Sequence, residues 1–213
     1  MKLRLFQQGA SSAATVRTYT IRAQREREID VDFALHEDAT GQHGPATTWA
    51  MNAQPGDAIE LGGPGAAKPL PPGRDFYLIA GDMTALPAIS VNLEALDPAA
   101  AGYVVIEIQD EADRQFLTAP EGVDIDWIVN PVPGTSSQAL ADRLRAAAPD
   151  GDALYAWAAC EFSAMQRLRD YLRTERGLGT DRLYISSYWK TGLTEESHKV
   201  IKREDAEAAF GAA

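Results

Sequence analysis

Asp75-Phe76-Tyr77-Leu78-Ile79-Ala80-Gly81-Asp82-Met83-Thr84-Ala85-Leu86-Pro87-Ala88-Ile89 decides the reading of the chain. Phe76 to Ala80 is a nearly unbroken apolar run, which a parallel strand needs when helices cover both of its faces. Gly81-Asp82 reads as the turn that follows, and Gly81 lets a ligand approach the backbone. Thr84 is placed to cap a helix, and Pro87 suits its first turn, where a missing N–H costs nothing. A helix that begins just past a strand end points free N–H groups at whatever sits there. Such a site favours an anion, typically a phosphate. An ordinary strand-to-helix turn has the same pattern, so the stretch alone speaks for the fold more than for a ligand.

Downstream the pattern alternates. A helix from Thr84 to about Leu96 leads to strands at Tyr103–Ile108 and Ile125–Asn130. Then come a helix at Ser136–Ala147, a strand at Ala153–Ala158, a helix at Glu161–Arg176 and a strand at Leu183–Ser187. Strands spaced by helices of this length predict a parallel sheet with helices on its faces. The charged tail, Leu193 to Phe210, is expected to be helical.

Upstream the pattern is different. Met1 to Phe6 alternates like a strand, and Thr15 to Arg22 is rich in β-branched and aromatic residues. Glu28 to Leu35 alternates strictly, which predicts a half-buried antiparallel strand joined to its predecessor by the charged run Arg25–Glu28. A polar loop, Glu37 to Gly44, precedes a short helix opened by Pro45. Pro55-Gly56-Asp57 is a turn and Ala58 to Leu61 a short strand. Gly62 to Gly73 is the linker. The expected fold class is therefore α+β in two domains. Residues 1–66 form an antiparallel, barrel-like unit whose few strands do not close a barrel alone. Residues 74–213 form an α/β parallel-sheet nucleotide-binding domain with a helical tail.

Composition narrows the function. Of 213 residues, 45% are hydrophobic, enough for a real core. One cysteine rules out a disulfide framework and points to a reducing, cytoplasmic setting. No segment is apolar and long enough to span a bilayer. The net charge of −11 argues against a nucleic-acid surface, which needs a clustered basic face. A monomer is compatible with all of this.

Several motifs in order carry a resemblance. They are Arg17-Thr-Tyr19-Thr20-Ile-Arg22; His36 with Gly44-Pro45-Ala46 and Trp49-Ala50; Pro55-Gly56-Asp57 with Gly63-Pro64-Gly65; Ala80 to Ile89; and Tyr155 to Glu161 with Tyr188-Trp189-Lys190-Thr-Gly192. With these the chain resembles the siderophore-interacting proteins, flavin-dependent ferric-siderophore reductases related to the ferredoxin-NADP reductase superfamily. There are two departures. The family has several dozen residues before the Arg-x-Tyr-Thr strand, where this chain has few, so an incomplete flavin barrel is expected. The position before Glu161 is commonly Gly and here is Cys160.

The resemblance implies FAD as cofactor and NADPH or NADH as electron donor. It implies that Arg17 pairs with the flavin pyrophosphate, that Tyr19 lies along the ring, and that Thr20 bonds near its N5. A polar-faced strand would read the same. His36 is implied beside the flavin or its adenine half, although a solvated strand-end histidine fits equally. Gly44, Pro45, Ala46 and Thr47 would open a short helix whose N–H groups hold the pyrophosphate. Gly81, Asp82 and Thr84 would meet the dinucleotide donor, in place of the absent Gly-x-Gly-x-x-Gly. Cys160 and Glu161 would face the nicotinamide ribose, with Cys160 positional rather than catalytic. Trp189 would border the flavin. Arg114 and Arg143 are weak candidates for a 2′-phosphate.

Lys190, Lys199, Lys202 and Arg203 would form a basic rim for an anionic ferric siderophore. A solvated helix would explain the tail residues as well. Electron transfer to chelated iron needs no protein ligand, so neither a catalytic side chain nor a metal cluster is expected. A general flavin or ferric-chelate reductase, or a non-catalytic siderophore- or nucleotide-binding protein with a degenerate flavin site, is the alternative. The absorbance spectrum of the purified protein separates them.

Overall fold

The computed structural model describes residues 1–5, 14–36, 41–149 and 153–210. The chain divides into two units, Met1–Ala67 and Lys68–Ala213, and the division falls within the Gly62–Gly73 stretch.

In the first unit, β1 (Lys2–Leu5) lies between β2 (Thr15–Thr18) and β5 (Glu60–Gly62), antiparallel to both. Leu3 and Leu5 alternate inward and are buried. The register sets Leu3 opposite Arg17, so Arg17 shares the face of the buried leucines. A separate hairpin pairs β3 (Ala23–Gln24) with β4 (Ile29–Asp30). Its turn is closed by Arg25 N donating to Glu28 O and by the Arg25 guanidinium on Glu28 and Asp30. The expected strand over Glu28–Leu35 is thus corrected: only Ile29–Asp30 joins a ladder. The apolar alternation beyond it serves ring packing, with Phe33 4.5 Å from Tyr19 and 6.0 Å from Trp49. Helix α1 (Pro45–Asn52) begins at its proline, as residue type dictates. The expected loop at Glu37–Gly44 and the residue Phe6 lie partly or wholly outside the described residues.

The second unit is a five-stranded parallel sheet in the order β10-β9-β6-β7-β8. Its chain order is β6 (Phe76–Asp82), α2 (Leu86–Glu94), β7 (Ala101–Ile108), β8 (Gly122–Val129), α3 (Ala139–Ala147) and β9 (Leu154–Glu161). Then follow α4 (Phe162–Arg169, extended by a π turn over Asp170–Glu175), β10 (Leu183–Trp189) and α5 (Glu195–Phe210). The central strand alternates between two cores. Leu78 and Ala80 join Leu140, Leu144, Met165 and Leu168 under α3 and α4. Tyr77 and Ile79 join Leu86, Ile89 and Leu93 under α2. Burial on both faces is why Phe76–Ala80 could not alternate polar and apolar. The crossover from β7 to β8 carries only a 3₁₀ turn, Glu111–Asp113.

Several boundaries move, three of them for a physical reason that bears on the site. Strand β6 continues through Gly81 and Asp82, which pair with Ile106 and Glu107 of β7. Gly81 is therefore a strand residue. A Cβ there would stand 2.8 Å from Ile89 Cδ1 and 2.9 Å from both Ala159 O and Ala85 Cβ, so the glycine admits α2 against the sheet. Strand β9 likewise runs on from Ala158 to Glu161. Helix α2 starts at Leu86 with Ala85 as its N-cap and no side-chain cap, so Thr84 does not cap it.

Candidate functional site

Strand β6 is followed in sequence by β7 on one side of it, while β9 lies on its other side. Ligands of open α/β sheets bind at such a reversal, outside the strand carboxyl ends. The last residues of the two strands that flank this reversal are Asp82 and Glu161.

Asp82 is buried and accepts four hydrogen bonds. Glu161 N and Trp189 Nε1 donate to Oδ2, each at 2.8 Å. Thr84 N and Thr84 Oγ1 donate to Oδ1 at 2.9 and 2.5 Å. Burial raises its pKa above the ordinary carboxylate value, against the lowering effect of these donors. Glu161 caps α4: Oε2 accepts from Ser163 N and Ala164 N, and Oε1 accepts from Thr191 N at 3.2 Å. Glu107, paired opposite Asp82, is held by Asn130 Nδ2 at 3.0 Å. Its pKa is also raised by burial, and the Asp82 and Glu161 charges add to that. Cys160 lies fully buried in the core beneath α4, where desolvation pushes its thiol pKa up. Gly134, at φ +81°, lets the loop after β8 close on Thr191.

This geometry corrects several expectations. Thr84 is spent on Asp82. Cys160 faces the core, because strand alternation turns it under α4 while Glu161 meets the helix N-terminus. The oxygens of Asp82 and Glu161 already serve the chain's own N–H and O–H groups, so the α4 N-terminus is capped by protein. Arg143 bonds Asp126 on the face of β8, where Tyr103 also reaches Asp126, and is not at the strand ends. Arg114 pairs with Glu111 on the crossover.

The expected basic rim is divided. Lys190 Nζ lies 4.5 Å above the centroid of the Phe162 ring. Lys199 pairs with Glu195 and Arg203 with Glu207, one helical turn away each. Lys202 turns inward and donates to Ser186 Oγ and Ser187 O. Helical spacing brought these cations onto one side, but the acids one turn away and the β10 backbone took them up. Among the described residues, no group of three or more His, Cys, Asp or Glu side chains is arranged to hold a metal ion. Nor is any helix long and apolar enough to cross a membrane.

In the first unit, Arg17 and Tyr19 sit on the β2 edge, and Tyr19 N continues the ladder to Met1 O. Thr20 follows, half-buried. His36 is exposed, its Nε2 beside Gly44. Gly44 is the N-cap of α1 and supplies no side-chain bond, and Pro45 opens the helix. The side chains of Ala46 and Thr47 are buried, so only their backbone N–H groups are offered; the Thr47 hydroxyl is not. These features fit a flavin dinucleotide. An uncapped helix start suits its phosphates, a guanidinium can pair with them, and a half-buried tyrosine offers a ring face. Glu107, Asn130 and Thr191 went unread in the sequence. Glu107 did leave one signal, a charge inside the apolar run Val104–Ile108.

An antiparallel β unit followed by a parallel sheet with a strand reversal is a two-domain α+β fold of the kind seen in ferredoxin-NADP+ reductases. The solved ferredoxin-NADP+ reductase of Plasmodium falciparum shares the fold, with a TM-score of 0.62 at 16% identity over 88% of this chain and 81% of that one. Within that class the match is narrower. The family profile described as "Siderophore-interacting protein" matches residues 74–192, and "Siderophore-interacting FAD-binding domain" matches residues 4–68. The chain is 40% identical over 210 residues to an uncharacterized protein of Mycobacterium tuberculosis, covering 92% of this chain and 72% of that one. It is 36% identical over 186 residues to the ferric vibriobactin reductase ViuB of Vibrio cholerae, covering 85% and 67%. The siderophore-interacting protein SipS from Aeromonas hydrophila superposes with a TM-score of 0.84 at 30% identity, over 97% of this chain and 84% of that one. The chain belongs to the siderophore-interacting protein family.

Proposed function

We propose that this protein passes electrons from NADPH or NADH through FAD to a ferric siderophore, releasing ferrous iron. The observation that carries the reading is that two profiles of one family lie in order on the chain, one on each structural unit. FAD would supply the conversion of a two-electron hydride into single-electron steps. One hydride then serves two ferric ions, with one proton released. Ferric iron is hard and gripped by siderophore oxygens; ferrous iron is held far less tightly, so one electron frees it.

The residues act by position. Tyr19, braced by Phe33, offers a ring face; Arg17 balances phosphate charge; Ala46 and Thr47 present N–H groups. At the strand reversal, Asp82 and Glu161 hold Trp189 and Thr191 in place, and the donor meets the rim they build. Lys190, rather than the paired Lys199 and Arg203 or the inward-turned Lys202, attracts an anionic substrate. The proposed setting is the cytoplasm, with a siderophore as the partner.

Arg17→Ala should weaken FAD binding about tenfold or more, because it removes a charge-assisted contact worth roughly 1.5–3 kcal/mol. Flavin absorbance per protein after reconstitution measures it, and unchanged occupancy removes Arg17 from the site. A wild-type protein that stays colourless after reconstitution supports the non-catalytic binding module. Lys190→Ala should slow reduction of an anionic ferric siderophore and spare a neutral one-electron acceptor. The gap should close as salt rises, since the attraction is screened over about 10 Å at 0.1 M ionic strength. Stopped-flow oxidation of the reduced protein by both acceptors tests this, and equal slowing refutes the substrate role.

A further inference from the structure

Helix α5 docks through a polar stripe. His198, Lys202 and Asp205 recur at i, i+4 and i+7, one face of a helix. His198 is 4% exposed, with Nε2 2.9 Å from Ser187 Oγ. Lys202 Nζ donates to Ser186 Oγ at 2.6 Å and to Ser187 O at 2.7 Å. Asp205 accepts from Arg169 Nη1 at 2.5 Å, from Arg169 Nη2 at 2.9 Å and from Gln166 Nε2 at 3.1 Å. The apolar core beneath takes in Ile201. A small cleft of ≈ 60 Å³ remains under the helix, bordered by Met165, Arg169, Ser186, Lys202 and Asp205. Helices ordinarily dock by an apolar stripe; this one is held mainly by hydrogen bonds and one ion pair.

The strand it grips leads to the site. Ser186 and Ser187 are bound by α5, while two to four residues on, Trp189 is bound by Asp82 and Thr191 by Glu161. We propose that α5 is a proton-operated latch: charging His198 releases the helix from β10 and loosens the Ser187–Thr191 segment of the site. The inference needs no flavin and stands apart from the redox reading.

The groups around His198 set the direction. Ser187 and Lys190 face it from β10 and the loop after it. From β9 and α4 come Glu161 and the Phe162 ring, the latter edge-on at 6.4 Å. Glu195 and Lys202 face it from α5 itself. Burial first, and then the Lys202 charge, lower its pKa below the ordinary 6.5; Glu195 and then Glu161 oppose them, and Lys190 adds the smallest lowering. A base whose pKa is lowered on docking is neutral in both states above 6.5, so nothing is lost there. As pH falls below 6.5 the undocked helix takes the proton first, and docking weakens until the docked value is passed. Burial lowers the Lys202 pKa from its ordinary 10.5, and the Arg169 partner holds the Asp205 carboxyl below the usual carboxylate value.

Hydrogen exchange of the full chain at pH 7.5 and 5.5, corrected for the intrinsic pH dependence of exchange, tests the latch. Protection of α5 and of the Ser187–Thr191 amides should drop by up to about tenfold at the lower pH, the limit for one proton one unit below 6.5. Amides of β6 and β7 should not change. H198Q, whose amide can still reach Ser187, should keep α5 equally protected at both values. The chain holds three histidines, so the His198 resonance can be titrated in the wild-type protein even if H198Q fails to dock. Its midpoint should lie below 6.5, where the loss of α5 protection levels off. Protection independent of pH, an unchanged profile in a docked H198Q, or a His198 midpoint at or above 6.5 would each overturn the proposal.

Discussion

Asp82→Ala should destabilise the second unit by about 3–5 kcal/mol, because it strands donors that have nowhere else to turn. Glu161 N, Thr84 N and Trp189 Nε1 can only donate, and all three are aimed at this carboxylate. Each buried donor left without a partner costs roughly 1–3 kcal/mol, less what an entering water recovers. Urea unfolding followed by tryptophan emission would show an earlier midpoint, and the folded baseline should shift as Trp189 loses its anchor. The pH dependence has a definite sign. Burial raises the Asp82 pKa, so its stabilising effect is greatest below the unfolded value and declines as pH rises through the folded one. The gap between wild type and variant should therefore narrow from acid toward neutral pH. A variant within about 1 kcal/mol of wild type would show that the network does not hold the strand ends.

Glu161→Ala should cost about 2–4 kcal/mol, combining a lost helix cap with exposure of buried donors. Ser163 N, Ala164 N and Thr191 N lose their common acceptor, and the side chain is 3% exposed, so solvent cannot readily replace it. Glu161→Gln keeps an oxygen for α4 and should recover part of the loss. The reading as a ribose ligand predicts otherwise: normal stability and a raised KM for NADPH. Measuring both quantities on the same preparation decides. A stable alanine variant with weakened donor binding would return Glu161 to the ligand, whereas a destabilised one with unchanged KM leaves it as the cap.

Asp82 and Glu161 stand out in the sequence because each follows an apolar strand, and both lie at the strand reversal. Their partners were not legible. The Trp189 indole arrives from a strand 107 residues on, and Thr191 lies 30 residues after Glu161. No local pattern encodes such distances. Thr84 looked like a cap since its type and spacing suit one, yet a longer β6 put Asp82 within reach of its hydroxyl. Lys202 looked like rim charge since helical spacing says which side a residue occupies, but not whether that side meets solvent or β10.

The sequence by itself determined the two-unit division, the parallel sheet and the family. Those rest on local signals: apolar runs of strand length, Gly/Pro punctuation and motifs in order. It also pointed to a helix opening at Pro45, because a missing N–H costs nothing in a helix's first turn. Tertiary structure alone decided which polar groups are free to act. Asp82, Glu161, Thr84 and Lys202 carry the right chemistry for a ligand, and folding consumed it on backbone and side-chain donors and acceptors brought near from distant positions. A buried polar group must find a partner, and the partner is chosen by the packing of the whole sheet.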